Sequence, residues 1–294
     1  DYPADFSKIR RLLMDLSEMK IAQSIDGAEQ FYGRLNLLEP TGEEIPSGIL
    51  AEFIDEEGEL LASLILGKQH ERESDTSSPY GGGSWPNGRY VRVRETGLVG
   101  LVPETLSEIT TEAERWFDKD FFKVGTKKHV RLEKDGETLW EMSRADKTDD
   151  LALVGAIPEE KEVNSSPVNS VSSSLSYPSF TGVADKSLSD EELGMDSPRI
   201  CTITDFEDIR YALKVGRKTD GGKYYLRVDA EYVGPTEYEP GEEAEEDEEA
   251  AKAAEEEFGK ELKERREKVE EISERVAGWT YEVNSYVLDP LLKE

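Results

Sequence analysis

The residues able to do chemistry are few. The chain has two histidines, His70 and His129, and one cysteine, Cys201. Neither histidine has a Cys, His or Glu neighbour at the spacing a metal site needs. No Gly-x-Ser-x-Gly turn offers an exposed serine nucleophile. No Walker-type phosphate loop is present, and no Gly-x-Gly-x-x-Gly follows a strand. Gly81-Gly82-Gly83 is glycine-rich, but no helix follows it to aim an N-terminus at phosphate. With 66 acids, paired carboxylates carry little information. Asp118 and Asp120, near Trp116, are the best candidates for a two-carboxylate hydrolase, and the sequence does not show them across a cleft. The sequence therefore assigns no catalytic residue, no metal ligand and no cofactor.

Recognition has better candidates. Tyr80 and Trp85 are large aromatics on a Gly-, Ser- and Pro-rich loop spanning Glu71 to Asn87, and Arg89 closes it. Exposed aromatics on such loops suit partner or ligand binding. The same residues would also suit a loop folded back over its own hairpin. Cys201 lies in the alternating run Arg-Ile-Cys-Thr-Ile-Thr and reads as a small buried apolar residue.

The chain has 294 residues and a net charge of −30. That surplus of acid repels phosphate backbones, and no basic patch of useful size offsets it, which argues against a nucleic-acid partner. No stretch approaches the ~20 apolar residues of a membrane span. A lone cysteine does not report the compartment.

The elements around these residues occur twice. Ile9, Leu12 and Leu16 mark one face of a helix from Ser7 to Ser17, followed by Ile21. Val168, Val171, Leu175 and Phe180 repeat them with a shift of 159 (168 − 9). Leu35-Asn36-Leu37 before Pro40 matches Leu193-Gly194-Met195 before Pro198. Hairpins follow in both copies, Ile49–Ile54 with Leu60–Leu66 and Ile200–Phe206 with Ile209–Val215. Both return strands end alike, Leu66-Gly67-Lys68 beside Val215-Gly216-Arg217, and Tyr90–Val93 matches Tyr225–Val228. Gly97–Val102 resembles Gly278–Val283. The expected fold is α+β, two copies of a helix packed on a mainly antiparallel meander.

The expected boundaries are 1–123 for the first unit and 158–294 for the second. Residues 124–157 add a connecting hairpin, turning at Asp135-Gly136, and a strand, Leu151–Val154, both belonging to the second unit. An acidic insertion, 237–275, enters the second unit. From Ala250 it reads as a helix with a narrow stripe, Phe258, Leu262, Val269, Ile272 and Val276, so it is expected on the surface or projecting as an arm, and dispensable for folding. Ile9, Leu12 and Leu16, like Val168, Val171 and Leu175, are expected to be buried against their sheets. The first copy has no counterpart of the 130–154 hairpin. Its sheet should therefore show an open edge, and the missing piece would lie before Asp1.

Several segments together resemble a bacterial family known as domain of unknown function 4340. They are Tyr2-Pro3-Ala4-Asp5, Phe31-Tyr32-Gly33-Arg34-Leu35, Gly88-Arg89-Tyr90-Val91-Arg92, Arg115-Trp116-Phe117-Asp118-Lys119 and Gly278-Trp279-Thr280-Tyr281. The resemblance implies a domain on the extracytoplasmic, periplasmic face of the inner membrane, held by a single N-terminal anchor that this chain lacks. It also implies partners among the auxiliary components of gliding-type ABC transporters. The expected function is a non-enzymatic accessory or scaffold domain of an envelope complex, binding a protein or polysaccharide. The alternatives are a small-ligand or carbohydrate module at the junction of the repeats, and a paired-carboxylate hydrolase.

Overall fold

Asp5 opens the first helix. Its carboxylate accepts the Lys8 N–H at 3.0 Å and the Ser7 hydroxyl at 2.6 Å, which caps helix α1 (Phe6–Glu18). The Ser7 hydroxyl and then the Lys8 amide hold the Asp5 carboxyl below its usual range. The structure is a computed structural model and describes residues 2–41, 47–73, 84–155, 165–239 and 248–293. Tyr80, the Gly81–Gly83 run and most of the acid run Glu242–Glu249 lie outside those residues. Two compact units divide the chain, Pro3–Asp118 and Lys119–Glu294, with Tyr2 in the second. The fold is α+β, with helices and two mainly antiparallel sheets. No described helix is long and apolar enough to cross a membrane.

Unit 1 carries a five-stranded sheet. Its strands are β1 (Gln23–Ser24), β2 (Ile49–Ile54), β3 (Leu60–Glu73), β4 (Ser84–Val93) and β5 (Val99–Val102), ordered β1-β5-β4-β3-β2. Apolar residues alternate through the central strands, so one face packs Leu66, Val91 and Val102 with Leu106 and Ile109, and the other packs Ile65 and Val99 with Leu37.

Unit 2 begins with a hairpin, β6 (Lys127–Lys134) and β7 (Glu137–Ser143), then β8 (Ala152–Leu153). Asp135 and Gly136 both take positive φ, which matches the turn to the twist of the strands. Next come α2 (Ser165–Ser173), β9 (Gly182–Val183), the short α3 (Asp190–Leu193), β10 (Arg199–Asp205), β11 (Ile209–Lys218) and β12 (Lys223–Tyr232). The chain ends with α4 (Glu248–Val276), β13 (Tyr281–Asn284) and α5 (Ser285–Leu292). The sheet order is β8-β7-β6-β10-β11-β12-β13-β9.

From β10 to β9 this order is the unit 1 order from β2 to β1, strand for strand. The sequence matches have physical causes. A Cβ on Gly67 would overlap the Leu35 carbonyl oxygen, and one on Gly216 would overlap that of Leu193. Asn36 and Gly194, between those leucines and the next apolar residue, both sit at positive φ (53° and 69°). Each return strand thus needs a glycine where a left-handed turn presses its carbonyl against the sheet.

The units differ at one edge. In unit 2, β10 pairs with β6 over seven residue pairs, from Arg199↔Lys134 to Asp205↔Lys127. In unit 1, β2 is the last strand of its sheet among the described residues. The helices differ accordingly. Val168, Val171 and Leu175 are buried as expected, but Ile9, Leu12 and Leu16 are only half-buried, and α1 has no buried residue. Val130, Leu132, Met142 and Leu151 from β6, β7 and the residue before β8 enlarge the buried layer of unit 2, and unit 1 has no equivalent among its described residues.

Helix α4 also departs from expectation. Its first half is solvated, but Ile272 and Val276 are buried and the Ser273 hydroxyl donates to the Ala230 carbonyl of β12. Lys268 pairs with Glu207 at 2.6 Å and Arg275 with Asp120 at 3.4 Å. The last turns therefore belong to the core of unit 2. A narrow stripe was enough to dock them because only those turns face the sheet.

Candidate functional site

Unit 1 presents a two-stranded arm. Strand β5 pairs with β4 only from Arg89 to Arg92, and β2 pairs with β3 only from Leu60 to Leu66. Beyond those limits, His70–Glu73 and Ser84–Gly88 pair only with each other among the described residues. An isolated two-stranded ribbon is marginal in water. This one is pinned at its root by His70, whose Nδ1 lies 2.7 Å from the Asn87 side-chain oxygen and whose ring meets Tyr90 edge-on.

Trp85 sits on the arm opposite Arg72 and is 69% exposed. Arg89 is placed otherwise. It is buried, its Nε donates to the Gly67 carbonyl and its Nη1 to the Leu106 carbonyl, both at 2.9 Å, and burial lowers its pKa. Arg89 alternates with Val91 and so shares its inward face, a signal available in the sequence. Tyr80 is outside the described residues. At the root of the arm, Arg34, Leu35, Lys68, His70 and Tyr90 line a recess of about 360 Å³.

Unit 2 holds a second polar site, one the sequence did not mark. Lys127 is fully buried, and its amine donates to the Ser172 and Ser174 carbonyls at the C-terminal end of α2. Burial, with Arg144 adding to it, pushes the Lys127 pKa down to about 8. A bulge at Lys128, which is skipped where Thr204 pairs with His129 and Asp205 with Lys127, shifts Lys127 out of the strand's alternation and turns it inward. Arg144 donates to the Lys127 and Asp149 carbonyls and to the Ser172 hydroxyl. Above them, Lys123, Thr126, Arg144, Lys147, Ser176 and Tyr177 line an open recess of about 570 Å³. Lys123 stands over the Tyr177 ring and Lys147 over Phe206. Neither lysine is in a salt bridge among the described residues, although the Asp146 pKa is held down by its Thr148 hydrogen bonds first and by nearby Lys147 after them. This is a concentration of positive charge in a strongly acidic chain.

The remaining candidates sit apart from these sites. Asp118 is exposed, with its N–H on the Pro3 carbonyl, and Asp120 is held by Arg275. His129 contacts Glu141 at 2.6 Å, and Arg131 shares that carboxylate, so the Glu141 pKa is lowered by Arg131 first and His129 second. Cys201 is fully buried, and burial pushes its thiol up to about 12, far from nucleophilic at neutral pH. Among the described residues no group of His, Cys, Asp or Glu could hold a metal ion.

A family model described as Domain of unknown function (DUF4340) matches residues 1–198. No curated protein and no solved structure matches the chain.

Proposed function

The chain belongs to the family of domains of unknown function numbered 4340, and from that premise we propose that it is a non-enzymatic binding domain. Its setting would be an accessory or scaffold role in an envelope ABC-type transport complex, on the extracytoplasmic side, with a protein or polysaccharide as partner. The family description assigns no activity. The observation that carries the reading is the arm of unit 1. It puts Trp85 into solvent on a ribbon that contributes little to either core, a placement that serves contact better than stability. Affinity purification of the tagged chain from envelope fractions, wild type beside Trp85→Ala, tests it. The variant should keep its melting temperature and lose specific components. An identical set of components would remove the argument.

A second reading has its own observation, the cationic recess of unit 2. Lys123 and Lys147 would attract a small anionic ligand, such as a carboxylate or phosphate ester, with the Thr126 hydroxyl as a hydrogen-bond donor. Calorimetric titration with inorganic phosphate and citrate tests it. Binding that falls at least tenfold in Lys123→Ala/Lys147→Ala supports it, and no heat from either anion counts against it.

A further inference from the structure

Unit 2 shows what the open side of unit 1 looks like when covered. Beside β10, strand β6 supplies Val130 and Leu132, both fully buried, and leaves Cys201, Ile203 and Tyr211 fully buried as well. Their register counterparts in unit 1 are Ala51, Phe53 and Ala62. Ala51 and Phe53 are only half-buried and Ala62 is exposed. Ile54 and Leu61 beside them are 58% and 69% exposed.

The backbone is equally unsatisfied. The Arg94 N–H donates to the Ser63 carbonyl, so the polar groups of Ser63 point towards β4. In an antiparallel pair, its partner Glu52 then turns its own N–H and C=O away from β3, and by alternation Leu50 does the same. These groups face the edge that no described strand occupies.

Charge defines what would fit. The hairpin tip beside β2 carries Asp55, Glu56, Glu57 and Glu59. At the corresponding tip of unit 2, Lys128 of β6 reaches Asp208 at 3.4 Å. A second copy of β2, paired antiparallel about its middle, would bring Glu52 close to its own copy and offer no cation to either acidic tip, in a chain of net charge −30.

We propose that the β2 edge is a docking site for an antiparallel β-strand of a partner protein, with Val, Ile or Leu on its inward face and Lys or Arg facing the Asp55–Glu59 tip. Main-chain hydrogen bonds to Leu50 and Glu52 would supply affinity, and the alternating side chains specificity. The inference rests on reading the chain as a binding domain and names the partner's chemistry. It stands on a different surface from the Trp85 arm, so Trp85→Ala leaves it untouched.

The probe is a synthetic peptide with the sequence of residues 126–144, the hairpin that does this job in unit 2. It is added to the full chain, and amide hydrogen exchange is read residue by residue. The expected result is saturable slowing of exchange at Leu50 and Glu52 by tenfold or more. Glu52→Pro should abolish the effect at Leu50, because proline removes an outward N–H that the β2–β3 ladder does not use. Glu52→Gln, which keeps that N–H, should bind as wild type and controls for loss of the carboxylate. A peptide carrying Lys128→Glu and Arg131→Glu should bind at least tenfold more weakly. No peptide-dependent protection would overturn the proposal, and so would equal binding of the charge-reversed peptide. Protection in the chain alone also overturns it. If that protection rises with concentration and the mass doubles, the occupant is a second copy; if it is independent of concentration, the chain covers its own edge.

Discussion

The Asp55 and Asp205 carboxylates make the same turn 150 residues apart (205 − 55). One oxygen of Asp55 accepts the Glu57 and Glu59 amides at 3.1 and 2.8 Å, and one oxygen of Asp205 accepts the Glu207 and Ile209 amides at 2.9 and 3.0 Å. The difference is burial. Asp205 is fully buried, its other oxygen has no hydrogen-bond partner among the described residues, and burial raises its pKa.

Asp205→Ala should cost about 1–3 kcal/mol, since the buried Ile209 amide and the half-buried Glu207 amide lose their acceptor. Asp205→Asn keeps the acceptor and removes a buried charge. The raised pKa means that stability from Asp205 is lost as pH rises through its folded pKa. The asparagine variant should therefore be at least as stable as wild type at pH 7, and its advantage should shrink as pH falls towards 4. Urea unfolding at the two pH values checks both parts.

Lys127 gives the opposite sign. Its folded pKa of about 8 lies below the unfolded value of 10.5, so the unfolded state binds more protons between them. Wild type should gain stability relative to Lys127→Met as pH rises from about 8 to 10.5. At pH 7 the methionine variant strands the Ser172 and Ser174 carbonyls, a cost of about 1–3 kcal/mol against relief of a buried charge. The measurement is the difference in unfolding free energy between the two proteins across that window.

The two matching leucines, Leu16 in α1 and Leu175 just past the end of α2, should respond unequally to the same truncation. Leu175→Ala removes a side chain that is 4% exposed and should cost about 2–5 kcal/mol. Leu16→Ala, on the half-covered α1, should cost less than about 2 kcal/mol. Equal costs would mean that α1 is covered in solution.

Helix α4 should divide in two. Removing its solvated first half, Glu248–Gly259, should leave the melting temperature within a few degrees of wild type. Ile272→Ala should lower stability by about 2–5 kcal/mol, because that residue is 6% exposed against β12.

Local signals were readable from sequence. The Asp135-Gly136 turn and the apolar row Val168, Val171 and Leu175 each need only neighbouring residues. Gly67 and Gly216 stood out as a repeat match, but their contacts with the Leu35 and Leu193 carbonyls, 32 (67 − 35) and 23 (216 − 193) residues away, needed the fold. Half-burial of α1 was not readable, because its periodicity says which face is apolar and not how much sheet lies beneath it. Lys127 escaped for a related reason. A bulge in its own strand at Lys128, opposite Thr204 and Asp205, breaks the alternation expected from the sequence. For α4, the stripe residues Ile272 and Val276 were identified, but which turns meet the sheet depends on where β12 ends.

The insertion that carries α4 also sets an order of events. In unit 1, Arg89 meets Val102 after 13 residues (102 − 89), while in unit 2 Tyr224 meets Val283 after 59 (283 − 224). Closing the longer loop costs about 1 kcal/mol more in chain entropy. The central hairpins differ the other way, because Leu66 meets Val91 after 25 residues (91 − 66) and Val215 meets Leu226 after 11 (226 − 215), so in unit 2 β11 and β12 should pair early and β13 should join last. Until β13 arrives, β12 has a bare flank during synthesis. That flank is an unpaired strand edge, open to pairing with other nascent chains, for as long as the insertion takes to be made.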